Sequence, residues 1–329
     1  KVHEDYLAAG ADIIETNSFG STALVLAEYN LQDKAYEINK LAAEIARNAA
    51  KKFSTDEWPR FVAGSIGPTT KAISVTGGVT FAELIENFYT QAKGLYDGGC
   101  DYFLIETCQD TRNIKAAALA VQKLNKEIEV PLPAAVSGTI ENTGTMLAGQ
   151  SAESLAVSLN HLDLLYLGIN CATGPEFMTD HIRSLAEISK APIACVPNAG
   201  LPDVDGNYLE TPEMMAQVLT HFCEESWINL LGGCCGTTPA HIAAFRKVCD
   251  NFAPRKLHKQ AGSFLSGIEV LEVSDEKRPM MVGERTNVIG SRKFKKMICE
   301  EKFEPYIDQC YQNLATYVSA YDQKMQMKR

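Results

Sequence analysis

Two cysteines stand side by side between glycines in GGCCG (232–236). On a straight strand, neighbouring side chains point to opposite faces. Glycines let a chain turn sharply, so a bend here can aim the sulfurs of Cys234 and Cys235 at one point. A third thiol, Cys171, ends an apolar run in GINCATGP (168–175). Three thiolates with an open fourth position describe a zinc site that can accept an outside ligand, and soft thiolates favour Zn²⁺ among the divalent ions of the cytosol. A lone strand-end cysteine reads more simply as a small buried hydrophobe; Cys171 gains weight beside the pair. Cys100, Cys108, Cys195, Cys223, Cys249, Cys299 and Cys310 read as packing or surface thiols. Carboxylates at the ends of apolar runs, Glu15, Glu106 and Glu141, fit a cationic ammonium group or, more plainly, the positive end of a helix dipole. Asn17, Ser65, Ser137 and Asn170 stand at the same kind of position and join them as candidate substrate contacts. His241 in TTPAHIAAF reads as part of a helix start, with Thr238 as N-cap and Pro239 at the first helical position.

These residues need elements that bring them to one place. Seven short apolar runs punctuate the first 250 residues: ADIIET (11–16), FVAGSIG (61–67), DYFLIET (101–107), PAAVSGTI (133–140), LLYLGIN (164–170), PIACVPNA (192–199) and WINLLGGC (227–234). Amphipathic helical stretches alternate with them. Continuous apolar runs are the mark of parallel strands buried on both faces, and strand–helix alternation implies right-handed crossovers. A (β/α)₈ barrel needs eight strands. The opening VHEDYLAAG has no strand before it, so the expected fold is a (β/α)₈ barrel lacking its first strand; an open doubly wound sheet is the alternative. In either, ligands bind at the C-terminal ends of the strands.

Composition narrows the class. The chain has 329 residues, with 31 Lys and Arg against 41 Asp and Glu, a net charge of −10. That balance disfavours nucleic acid and anionic membranes as partners through a basic surface. No apolar run approaches the roughly 20 residues of a membrane-crossing helix. Ten cysteines diluted through 329 residues are unlike a secreted disulfide scaffold and point to a reducing cytoplasm.

Taken together, ADIIETNSFGST (11–22), GSIGPT (64–69), SGTI (137–140), GTMLAGQ (144–150), GINCATGP (168–175), PNAGLP (197–202) and GGCCGTTPAHI (232–242) resemble the homocysteine S-methyltransferase family. The resemblance implies a zinc barrel over residues 1–252, with Cys171, Cys234 and Cys235 as ligands and homocysteine bound as its thiolate. Residues 253–278 are polar, hold a Pro and two Gly, lack a sustained period and read as a linker. A new unit, 279–329, opens with VGERTNVIGSRKF (282–294), which resembles the first strand and loop of the pterin-binding barrel in cobalamin-dependent methionine synthases. The LSGIEVL stretch (265–271) is similar to them too.

That likeness implies a methyl group passed from methylcobalamin, recharged by methyltetrahydrofolate. Glu284, Arg285, Thr286 and Asn287 would be folate contacts, and the cobalamin module would be a partner lying outside this chain. After about residue 308 the tail departs from that pattern; with the strand expected ahead of residue 1, this suggests a piece of a longer gene, incomplete for turnover by itself. Other readings are a betaine- or S-methylmethionine-type homocysteine methyltransferase and, outside catalysis, a structural zinc or thiol protein.

Overall fold

A computed structural model of the chain describes residues 1–257, 262–280, 289 and 292–301. Helix α1 (Val2–Ala8) leads into strand β1 (Ile13–Glu15); the short α2 (Ala23–Leu26) and long α3 (Ala35–Phe53) follow. Then come β2 (Phe61–Ile66), α4 (Phe81–Asp97), β3 (Tyr102–Cys108), α5 (Thr111–Asn125), β4 (Ala134–Gly138), α6 (Ala152–Leu159), β5 (Leu164–Asn170), α7 (Pro175–Ile188), β6 (Ile193–Val196), α8 (Pro212–Glu224), β7 (Leu230–Leu231) and α9 (Pro239–Cys249).

The seven strands pair in parallel and in sequence order, β1 through β7. A doubly wound sheet reverses its order at a switch point; this sheet does not, and it curls into a TIM-barrel-like half barrel. Strands β1 and β7 are its two edges. Helices α1 and α9 meet across the interval between them. Tyr6 donates its hydroxyl to the Thr237 carbonyl at 2.8 Å, and Arg246 forks onto Asp12 at 2.9 and 3.0 Å.

Helix starts follow the local sequence. Thr80 and Glu83 form a reciprocal capping box on α4. Asp110 caps α5, and Thr211 precedes Pro212 at the start of α8. His241 closes the equivalent box with Thr238 on α9.

Residue parity divides the strands between two cores. Val62, Ile66, Phe103, Ile105, Val136, Leu167, Ile169, Ile193 and Cys195 face the helices in the larger core. Ala63, Tyr102, Leu104, Ala135, Tyr166 and Ala194 face inward, with Ile13 and Leu230 against them. A wholly buried side chain such as Phe103 contributes about 1.5–3 kcal/mol over an exposed one. The same parity carries Glu15, Ser65, Glu106, Ser137 and Asn170, near the ends of the first five strands, inward, which is how the fold builds a site.

Beyond the barrel, strands β8 (Ser263–Ser266) and β9 (Val270–Val273) form an antiparallel hairpin in the polar stretch after residue 252. It docks on α6: the Ile268 carbonyl accepts from Ser154 Oγ at 2.8 Å, and Ser266 Oγ donates to the Ser154 carbonyl at 2.8 Å. A 3-10 turn (Asp275–Lys277) and helix α10 (Arg292–Cys299) are described further on. Glu284, Arg285, Thr286 and Asn287 lie outside the described residues, as does the tail past 308.

Among the described residues no helix is long and apolar enough to cross a membrane.

Candidate active site and metal centre

Strand β5 ends at Asn170, and the chain then turns through two left-handed residues, Cys171 (φ 64°) and Ala172 (φ 60°). Non-glycine residues seldom sit there, and such strain persists only where the surroundings enforce it. Here the Cys171 amide donates to the Val196 carbonyl at 3.2 Å, and Thr173 folds back on the Cys171 carbonyl at 2.7 Å. The chain leaves β7 through Gly232 and Gly233. Cys234 is pinned to the Pro197 carbonyl at 2.8 Å, and the Cys235 amide donates to Asn198 Oδ1 at 3.0 Å.

These turns bring the three sulfurs within 4.8 Å of one another. Cys171 to Cys235 is 3.8 Å and Cys234 to Cys235 is 3.9 Å. A tetrahedral ion with metal–sulfur bonds of about 2.3 Å sets its ligands about 3.8 Å apart. The donor set therefore fits zinc in type and in spacing. The hydrogen bond from Cys234 pulls the Cys171 thiol down to about 5, and the same bond pushes Cys234 up. Cys108, a neighbour in sequence of the strand-end Glu106, is buried beneath this layer with its thiol pushed up by desolvation, and it is not part of the cluster.

Below the sulfurs opens a cavity of about 920 Å³, lined by Glu15, Asn17, Glu106, Ser137, Asn170 and Cys234 among others. Its floor is the Tyr102–Tyr166 pair, set edge to face with hydroxyls 2.9 Å apart. Ser65 stands behind Glu106 and donates to its Oε1 at 2.5 Å. Glu15 reaches solvent through the cavity yet is crowded by protein. Desolvation and the facing Glu106 raise it to about 8, and desolvation raises Glu106 as well. The two carboxyls thus hold a proton between them near neutral pH.

Ser137 Oγ is buried, lines the cavity and has no hydrogen-bond partner. Asn17 is exposed at the rim of the cavity. Glu141 sits in a turn closed by its amide on the Thr145 carbonyl at 2.9 Å, and it is not among the lining residues.

Three participants carry no sequence signal as strong as the cysteines. Thr107, left-handed at φ 54°, exchanges hydrogen bonds with Asn170. Asn198, at the end of β6, buttresses Cys235. Tyr208, in the loop between β6 and α8, packs its ring against Gly236, the residue after Cys235. The first two stand at strand ends, where the sequence already marks them; nothing local marks the third.

The family model described as homocysteine S-methyltransferase matches residues 1–249. Solved structures of the homocysteine methyltransferase MmuM from Escherichia coli are similar. Its metallated form is 24% identical with a TM-score of 0.63, over 75% of this chain and 82% of that one. Its oxidized form gives 24% and 0.61 over 75% and 82%, and its apo form 23% and 0.58 over 75% and 83%. At such identities the likeness concerns the fold.

Proposed function

This chain belongs to the homocysteine S-methyltransferase family, and on that premise we propose that it presents homocysteine, as its thiolate, to a methyl donor at the barrel mouth. The observation that carries the reading is the set of three sulfurs at tetrahedral spacing, one of them lining a cavity that also holds Glu15, Glu106, Ser137 and Asn170. Zinc held by Cys171, Cys234 and Cys235 supplies one thing: it favours the thiolate of a substrate whose free thiol, with a pKa near 8.5, is mostly protonated at neutral pH.

The chain's own residues do the rest. Glu106 and Glu15 accept the substrate ammonium, whose positive charge offsets the repulsion that now keeps a proton between them. Ser137 Oγ, buried without a partner, donates to the substrate carboxylate. Asn170 holds Thr107 and so fixes the turn carrying Cys171. Ser65 orients Glu106, and Asn17 lines the entrance.

For the donor, we infer a methyl group delivered by a cobalamin module and recharged from methyltetrahydrofolate, as in cobalamin-dependent methionine synthases. VGERTNVIGSRKF (282–294) supports this, with Glu284, Arg285, Thr286 and Asn287 as folate contacts. So does the rim: Phe19, Val75, Leu147 and Leu201 are exposed in loops that follow the strands, and Phe177 in the first turn of α7; exposed apolar side chains of this kind suit a macromolecular partner.

The test is to offer zinc-loaded chain and homocysteine either methylcobalamin, S-methylmethionine or betaine, and to measure methionine. Turnover of methylcobalamin is expected. Turnover of a small donor alone would replace the donor reading, and methionine from none of the three would overturn the function.

A further inference from the structure

Thr16, Ser18, Ser65 and Glu106 form one hydrogen-bonded unit at the ends of β1, β2 and β3, and all four are buried. Chemistry fixes the direction of each proton. A carbonyl can only accept, so the single hydroxyl proton of Ser18 goes to the Ser65 carbonyl, at 2.7 Å. The Ser65 amide donates to Thr16 Oγ1 at 2.9 Å. Ser18 then has no proton left for Thr16, so the 2.6 Å bond between the two hydroxyls runs from Thr16 to Ser18. The result is a closed circuit, from the Ser65 amide through Thr16 and Ser18 back to the Ser65 carbonyl.

The circuit occupies both main-chain groups of Ser65 and leaves its side chain one task. Ser65 Oγ donates to Glu106 Oε1 at 2.5 Å, so that carboxylate has its other oxygen to offer a ligand in the cavity it lines. The loop after β1 is itself anchored. Gln91 on α4, wholly buried, donates to the Ser18 carbonyl at 2.8 Å, and the Gly67 amide donates to the Phe19 carbonyl at 3.1 Å. Thr16 lines the cavity, whereas Ser18 is not among the lining residues. Ser18 can therefore influence a bound ligand only through the circuit.

We propose that Thr16 and Ser18 are positioning residues for the substrate's amino group: through the circuit they hold Ser65 on Glu106 and so aim this carboxylate at the ammonium. The inference rests on the reading above that Glu106 accepts the ammonium of homocysteine. Hydroxyl networks of this kind act as a unit, so a break at Ser18 should be felt at Glu106 while the cysteine cluster keeps its metal.

The experiment compares homocysteine with 4-mercaptobutanoate, the same thiol acid without its amino group, by titration calorimetry on zinc-loaded chain. The two share sulfur and carboxylate, so the ratio of their affinities isolates the amine. Ser18→Ala is expected to retain zinc, to bind homocysteine about tenfold more weakly, the scale of one hydrogen bond to a charged group, and to bind 4-mercaptobutanoate as wild type does. Thr16→Val should lose homocysteine affinity likewise, and Thr16→Ser, which keeps the hydroxyl, should restore most of it. In a Ser65→Ala chain, adding Ser18→Ala should cost homocysteine nothing further. Equal losses for both ligands in Ser18→Ala would reduce the circuit to structural support and overturn the proposal. So would an undiminished homocysteine affinity, or a further loss in the double variant. If Ser18→Ala does not fold, the Thr16→Val and Thr16→Ser pair decides by the same ratio. A wild-type chain that binds the two ligands equally would instead overturn the ammonium assignment on which the proposal rests.

Discussion

Asn170 and Thr107 hold each other across the barrel mouth. Asn170 Nδ2 donates to Thr107 Oγ1 at 2.7 Å, and the Thr107 amide donates to Asn170 Oδ1 at 3.0 Å. The bond pair joins the ends of β3 and β5 over the intervening β4, and Thr139 Oγ1 adds a donor to the Asn170 carbonyl at 3.0 Å. Thr107 and the next residue after Asn170, Cys171, both have left-handed backbones. The exchange is what makes two strained turns stable beside the cluster.

Removing it has a definite cost. Asn170→Ala leaves the Thr107 amide and hydroxyl without their partner, a loss of about 1–3 kcal/mol for a buried donor. Metal affinity should fall as well, by roughly 10–100-fold, as when groups that orient ligands are lost. Urea melts and competition with a zinc chelator measure the two effects separately.

Ser137 gives the opposite balance. Its hydroxyl is buried with no partner, so Ser137→Ala removes an unmet desolvation cost and should leave stability unchanged or slightly raised. Homocysteine affinity should nonetheless drop, because the hydroxyl is assigned to the substrate. Thermal melts with and without homocysteine check both signs; a variant that binds homocysteine as wild type does would free Ser137 from that role.

Glu15 makes stability depend on pH. Its carboxyl sits near 8 in the fold against 4.5 ordinarily, through desolvation and the facing Glu106. Between those values the folded state binds more protons than the unfolded state, so this group's contribution is full below about 4.5 and is lost as pH rises through about 8. Glu15→Gln should flatten the fall in stability across that window. Denaturant midpoints taken from pH 5 to pH 9 for both proteins report it; parallel curves would contradict the shared-proton description.

Much of this site was legible in the sequence, for a geometric reason. Strand residues alternate faces, so Glu15, Ser65, Glu106, Ser137 and Asn170, each near the end of an apolar run, share the inward parity of Ile13, Ala63, Tyr102, Ala135 and Tyr166. The sulfurs were legible because a Gly-Gly pair forces a bend at a strand end. Tyr208 was not, since its contact with Gly236 depends on a loop folding back beside the cluster, and loop paths leave no period to read. The hairpin of β8 and β9 escaped for a related reason: its strands are four residues each, too short to set a pattern, and it is held by serine contacts with α6. Glu141, placed by its nearness to β4, turned out to sit in a self-closed turn because the strand ends three residues earlier, at Gly138.

The ion pair between Asp12 and Arg246 links the start of the sheet to its last helix. Both side chains are substantially open, at 51% and 33% exposure, so the pair should contribute modestly, about 0.2–1 kcal/mol. Asp12→Asn should lower stability by that much at low salt and by less in high salt, where exposed pairs are screened. Denaturation at two ionic strengths tests this.

The central claim is that homocysteine binds through its sulfur at the Cys171, Cys234 and Cys235 cluster. Titration calorimetry on zinc-loaded chain at pH 7, repeated in buffers of different ionisation enthalpy, measures it most directly. The account predicts release of about one proton per homocysteine, because a mostly protonated thiol is bound as thiolate, much weaker binding of methionine, and loss of both effects in Cys234→Ala and Cys235→Ala chains that no longer retain zinc. Equal affinity for homocysteine and methionine with no proton released would mean that the sulfur never meets the cluster, and would contradict the account.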